Sequence, residues 1–232
     1  MKKRKIGIGW ICCVLASCCA GSLLAWDSYQ NEIQLTAGVQ TSITENVGLK
    51  VTEEWRTMKD FLGESGYSSY YWHTEVVAPL TYIKGISIEP GFRWIQVRNS
   101  SGWQTDYLFL LSGTKVFGLG AKFSLAARAR FCLNENDSKP VDHHLHDAWE
   151  FRPMLTLRYG GFDRITPYFA YELYYNMSDD FWFLNRLYTG LSYRFTSAFS
   201  AYGDVVKQDG RAYRDEHWEG KWIFRAGVKF RF

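Results

Sequence analysis

From about residue 29 to the final residue, apolar and polar side chains alternate in stretches of roughly ten, and turn-rich segments separate the stretches. Successive side chains of an extended chain point to opposite faces, so each stretch carries one apolar and one polar flank. That is the pattern of membrane-crossing strands, not of helices. The last stretch shows it most plainly, with Trp222, Phe224, Ala226, Val228, Phe230 and Phe232 on one flank and Lys221, Arg225, Lys229 and Arg231 on the other. Ala121 to Leu133 repeats it, Phe123, Leu125, Ala127, Ala129 and Phe131 opposing Lys122, Ser124, Ala126, Arg128 and Arg130. Further copies run over 149–159, 165–175 and 186–195, and weaker ones over 29–39, 47–56, 70–80, 86–97, 103–115 and 198–207.

A soluble β-sandwich also alternates, but it hides its apolar flank, whereas in this chain that flank is aromatic at the strand ends and nearly free of charge. Lipid demands such a surface, because an Arg or Lys at the bilayer midplane costs roughly 2–4 kcal/mol. Aromatic residues make up 18% of the chain and tryptophans number ten, enough to furnish girdles at two membrane interfaces. Short connections near 40–46, 80–85, 116–120, 160–164 and 196–198 read as periplasmic turns. The polar segments 57–68, 133–147 and 208–217 read as extracellular loops, with shorter ones near 99–102 and 176–180.

These stretches number eleven, whereas bacterial single-chain barrels usually have an even number of strands. With the C-terminus placed in the periplasm, the first counted strand runs toward the periplasm, so a missing strand is expected near residues 20–30. The predicted fold is therefore all-β, a single antiparallel transmembrane β-barrel of about twelve strands, with ten the second choice.

The N-terminus changes the picture of what is mature protein. Met1 is followed by Lys2, Lys3, Arg4 and Lys5 and then by an uncharged apolar run to Leu24, the layout of an export signal. The run approaches the roughly 20 apolar residues of a spanning helix, which leaves an uncleaved anchor as the alternative. Residues 1–25 are read as signal and 26–232 as barrel, with cleavage after Ser22 or Ala25. Leu15, Ala16, Ser17 and Cys18 also resemble a lipobox, in which Cys18 would be acylated; otherwise the four early cysteines are small apolar side chains. The formal charge of +3 comes from the signal: without its four cations, 23 Lys and Arg face 24 Asp and Glu. A near-neutral chain lacks the clustered positive excess that nucleic acid requires. Only Cys132 lies beyond the signal, so no intramolecular disulfide is expected in an oxidising compartment.

In the order of its short motifs, the chain resembles a family of bacterial outer-membrane proteins known as domain of unknown function 2490. The matching pieces are Trp26, Glu54 with Arg56, Arg128-Ala-Arg130, Arg152, the run Pro167-Tyr168-Phe169-Ala170-Tyr171-Glu172, and Asn185-Arg186 followed by Gly190-Leu191-Ser192-Tyr193. The resemblance implies a barrel in the outer membrane of the Gram-negative envelope. It implies no activity and assigns no role to these residues.

Candidate chemistry lies on the inward flank. A hairpin centred on Gly161 and Phe162 would set Arg152 opposite Glu172, and the next loop, centred near residue 179, would bring Arg186 opposite the same glutamate. With Arg130 facing Glu150, and with a tolerance of about two residues for bulges, these form a lumen network of Arg128, Arg130, Glu150, Arg152, Glu172 and Arg186. Such a ladder can close the lumen, since opposite charges across strands attract and Arg–carboxylate pairs fix geometry. Alternatively, the surplus Arg128, Arg158, Arg194 and Arg225 can line a narrow, porin-like path for a small anionic solute. The inward acids Glu54, Glu75, Glu89, Glu150, Glu172, Asp204 and Glu219 nearly cancel them.

His143, His144 and His146, flanked by Asp142 and Asp147, are weak candidates for binding a metal; a solvated loop tip accounts for them as well. The other class is an outer-membrane lipid-modifying enzyme of the lipid A hydrolase or acyltransferase type, with His73 or the loop histidines as bases. No serine stands in a recognisable nucleophile context, so no catalytic residue is named and no enzyme is expected. No phosphate loop, Cys-x-x-Cys pair or zinc-protease motif occurs, and no cofactor is predicted. The expected partners are outer-membrane lipid, and the barrel-assembly machinery through a C-terminal strand ending in Phe232.

Overall fold

The computed structural model describes residues 31–59, 67–83, 85–134, 149–211 and 218–232. The segment read as a signal, Cys18, the strand expected near residues 20–30, and His143, His144 and His146 lie outside the described residues.

Twelve strands form one sheet. In chain order they are β1 (Asn31–Ser42), β2 (Gly48–Lys59), β3 (Tyr67–Val77), β4 (Leu80–Ile83), β5 (Ile86–Asn99), β6 (Gly102–Leu119), β7 (Phe123–Asn134), β8 (Trp149–Tyr159), β9 (Ile165–Asn176), β10 (Phe181–Arg194), β11 (Phe199–Gly210) and β12 (Glu219–Arg231). Strands adjacent in the chain lie side by side except at β3 and β4, and β3 pairs instead with β5. That last pairing closes the sheet into a barrel.

β3 and β4 make one stave broken at Ala78-Pro79, and both pair with β5. Pro79 has no N–H to give to a ladder; its carbonyl accepts from Gly48 N at 2.9 Å, and Ala78 N donates to Pro90 O at 2.9 Å. The twelve strands thus make a closed barrel of eleven staves, the short β4 continuing the stave of β3. With an odd number of staves running alternately up and down, the first and last must run the same way. Accordingly β1 and β12 pair in parallel, from Asn31 opposite Trp222 to Gln40 opposite Arg231. Every other seam is antiparallel, so the all-antiparallel expectation is corrected at this seam alone.

Inside and outside sort as the alternation requires. On β6, Asp106, Leu108, Leu110 and Ser112 are buried, while Tyr107, Phe109 and Leu111 are exposed. Large apolar side chains are exposed round the whole barrel, including Leu35, Val39, Leu155, Leu157, Leu191 and Phe230. Aromatic rings cluster at both ends of this surface. Near the C-terminal end Phe195, Phe199 and Phe230 stack with centroids 4.9 Å apart, and Phe123 lies 4.9 Å from Tyr159. At the opposite end stand Trp149 and the Tyr175–Trp182 pair, 4.8 Å apart. The 11 residues of β8 join the two bands. At about 3.3 Å per residue and a barrel tilt of about 40°, they separate the bands by about 25 Å, the height of an apolar belt in a membrane barrel.

Candidate functional site in the barrel lumen

Every stave sends polar side chains inward, and from mid-barrel toward the long-loop end these meet in a set of ion-paired clusters. Glu172 on β9 is the most connected. It accepts from Arg128 Nη2 at 2.5 Å, from Tyr188 Oη at 2.5 Å and from Tyr174 Oη at 3.2 Å. Tyr174 in turn accepts from Arg186 Nη1 at 2.8 Å, and its ring centroid is 4.6 Å from the Arg152 guanidinium carbon and 5.1 Å from that of Arg186. Cation and ring attract through the ring quadrupole, so the tyrosine helps to hold both arginines in the lumen.

Around this centre the other staves add their own pairs. Asp204 on β11 takes Arg225 Nε and Nη2 at 2.7 and 2.6 Å, a two-pronged contact, and also accepts from Tyr168 Oη. Glu75 takes Arg93 at 2.5 Å and Arg130 at 3.5 Å, while Arg130 Nε donates to Ser112 Oγ at 2.8 Å. Glu150 holds Arg152, its neighbour two residues on, at 2.5 Å. Glu32 holds Lys221 at 2.9 Å across the parallel seam, and Glu54 holds Arg56 at 2.7 Å with His73 Nδ1 3.8 Å away.

Three of these contacts join staves that are not neighbours: Arg128 of β7 to Glu172 of β9, Tyr168 of β9 to Asp204 of β11, and Arg130 of β7 to Glu75 of β3. Side chains that bridge staves with one or two others between them must reach across part of the interior. The acids of this layer, Glu32, Glu75, Glu150, Glu172 and Asp204, are all buried. Beside this layer an apolar cluster of Ile95, Val97, Leu108, Leu110 and Cys132 occupies one side of the lumen.

The residues expected to form the network face inward, in partnerships that differ from those anticipated. Arg186 stands opposite Glu172, yet its guanidinium bonds to Tyr174 and to Gln208 Oε1 at 2.7 Å. Arg152 does not stand opposite Glu172; Met154 does. Arg158 opposite Tyr168 centres that hairpin on Asp163, one residue beyond the expected turn, which moves every partner by two. Arg130 faces Arg152, and Cys132 faces Glu150, so the Arg130–Glu150 pairing is likewise replaced by Arg130–Glu75. Glu75, Asp204 and Arg225 read from the sequence as inward charges without partners, and Arg93, Glu32 and the tyrosine hydroxyls were not anticipated at all. Their signal is their even spacing with the inward residues of the same strand. His73 has the carboxylate of Glu54 and the ring of Tyr71 beside it.

At the C-terminal end the character changes. A cavity of about 340 Å³ opens there, lined by Arg164, Arg194, Lys229 and Arg231 together with Asp163 and several serine and threonine side chains.

The fold and this interior define a closed β-barrel that is apolar outside and polar, ion-paired inside. No family model matches the chain, and no curated protein is similar to it. Among solved structures, one described as "NanC porin structure in rhombohedral crystal form" aligns with a TM-score of 0.49 and 13% identity, over 86% of this chain and 99% of that one. The architecture rests on the strand pairing itself.

Proposed function

We propose that the protein is an outer-membrane β-barrel whose lumen is stoppered at rest by its own charged side chains. Support for the membrane comes from the apolar exterior, about 25 Å tall between two aromatic bands. The bridging of non-adjacent staves by Arg128–Glu172, Tyr168–Asp204 and Arg130–Glu75 carries the stopper. In this reading the short turns and Phe232 lie on the periplasmic side, the C-terminal strand is what the assembly machinery engages, and the segment 1–25 is its export signal. The resemblance to domain of unknown function 2490 fits the same placement.

A water-filled porin keeps its lumen open, so conductance separates the two kinds of barrel. The full-length mature protein, reconstituted in planar bilayers, is expected to leave the current at baseline across the usual voltage range. Weakening the stopper with the double substitution Glu172→Ala, Asp204→Ala is expected to introduce current steps. Steady open-channel current from the native protein overturns the stoppered reading.

A further inference from the structure

The two halves of the lumen are charged differently. In the stopper every cation has a carboxylate or a tyrosine within reach. At the C-terminal end, Arg164, Arg194, Lys229 and Arg231 line one cavity with Asp163 as its only carboxylate. Arg194 is tied to the Asp163 main chain, its Nη2 donating to the carbonyl oxygen at 2.7 Å, which leaves the rest of its guanidinium fork facing the cavity. Lys229, Arg231 and Arg164 have no ion pair with any described carboxylate. The charges acting on half-buried Lys229 are themselves mostly positive: Lys50, Arg231 and Arg158, against Glu89.

Register builds these groups into one surface. Arg194 stands opposite Ser200, and Ser200 opposite Lys229. Beside them Ser192 stands opposite Thr166. Two cations therefore flank a hydroxyl on three adjacent staves, with a second pair of hydroxyls one step along. Like charges held together at the rim of a low-dielectric wall repel one another, and a cleft lined by one sign of charge concentrates counter-ions of the other. Guanidinium forks fit tetrahedral oxyanions with two parallel bonds, and an ammonium serves as a point charge beside them.

The geometry points to a binding site for phosphate groups at the periplasmic mouth of the barrel, formed by Arg164, Arg194, Lys229 and Arg231 with the hydroxyls of Ser192 and Ser200. The volume is near the lower end of ligand pockets, which begin at about 300 Å³, and suits a small phosphorylated molecule or a lipid phosphate headgroup. The site takes its periplasmic placement from the proposed membrane reading but does not depend on any solute crossing the barrel, so conductance and binding test separate statements.

Inorganic pyrophosphate is the probe. Calorimetric titration of the full-length mature protein in zwitterionic detergent at physiological ionic strength is expected to show one saturable site. Lys229→Gln and Arg231→Gln are each expected to weaken it about tenfold, the loss of one charge-assisted contact. Lys207→Gln, which removes an exposed cation on the outer flank paired with Asp209, is expected to leave it unchanged. No saturable binding, or equal weakening by all three substitutions, overturns the site. A second measurement needs no variant: amine-reactive labelling of Lys229, followed by mass spectrometry, is expected to slow when the ligand is bound. In phosphatidylcholine vesicles, slowing only on addition of pyrophosphate identifies a soluble ligand. Slowing in phosphatidylglycerol vesicles without pyrophosphate identifies the lipid headgroup. Labelling at one rate under all conditions overturns the proposal.

Discussion

Replacing Glu172 with alanine removes the centre of the lumen network. The carboxylate accepts from Arg128, Tyr188 and Tyr174, and across the strand pair it faces Arg186. Its loss leaves the Arg128 guanidinium without its carboxylate and the Tyr174 and Tyr188 hydroxyls without their acceptor. Breaking a buried ion pair by removing one partner costs about 3–5 kcal/mol, because the other charge remains uncompensated. Arg128 keeps 26% of its side-chain exposure and can turn partly toward water, and Arg186 retains Tyr174 and Gln208. Those two escapes place the expected loss near the lower limit, about 3 kcal/mol. Urea unfolding of vesicle-embedded protein, followed by tryptophan fluorescence, reads this as a lower midpoint at unchanged slope. In the Arg128→Ala background the same substitution is expected to cost less, by about 0.5–3 kcal/mol, since the pair is already broken. A change within about 0.5 kcal/mol, the range of surface substitutions, refutes the reasoning that Glu172 holds the network together.

Leu155, 54% exposed at the middle of β8, faces lipid if the barrel is embedded; Leu155→Arg is expected to lower vesicle-embedded stability by about 2–4 kcal/mol, and an unchanged urea midpoint contradicts the membrane placement. Gly190 sits so close to β11 that an added Cβ would fall 2.4 Å from Asp204 Cβ and 2.6 Å from Gly203 O. Gly190→Ala is therefore expected to cost about 1–3 kcal/mol by overpacking, seen in the same titration, with a neutral result ruling out that close approach. The parallel seam sets Val39 opposite Phe230, on neighbouring staves about 4.8 Å apart, within the usual Cα range of a disulfide. Val39→Cys with Phe230→Cys is expected to cross-link on oxidation, shown by mass spectrometry; failure to do so, while the protein still folds, disproves direct contact between β1 and β12.

The staves were legible in the sequence because a period of two survives any error in where a strand starts. All eleven alternating stretches correspond to staves, including 70–80, which runs through the break at Ala78-Pro79 that divides β3 from β4. The partners were less legible, since they depend on turn centres. Gly161 and Phe162 look like the turn because glycine punctuates chains, but Arg158 faces Tyr168 and the hairpin turns about Asp163. Arg152 therefore meets Tyr174 and its own neighbour Glu150 instead of Glu172. Contacts that skip a stave, such as Tyr168 to Asp204, were beyond reach altogether. They depend on the barrel's curvature and on side-chain length, neither of which alternation encodes.

The odd number of staves and the uneven lumen bear on each other. With β1 parallel to β12, the seam sets Glu32 beside Ile223, so Lys221 and Arg225 flank it on the inward side at the long-loop end. Glu32 is fully buried and takes Lys221, while Asp204 takes Arg225 from the other flank of β12. Both cations on that half of β12 are thus neutralised by adjoining staves. Toward the C-terminus the same strand continues with Lys229 beside Gly38 and Arg231 beside Gln40 across the seam, and with Lys229 beside Ser200 on β11. One strand therefore carries four inward cations, of which the staves beside it supply carboxylates for two and only neutral groups for the other two. Mutual attraction of opposite charges stabilises the first pair within the chain, whereas the second pair, with no carboxylate on the adjoining staves at its level, is where a counter-ion from outside the chain would be stabilised most. That division falls within a single continuous strand, so it reflects where acids were placed on β1 and β11 and not any difference in the backbone that presents the cations.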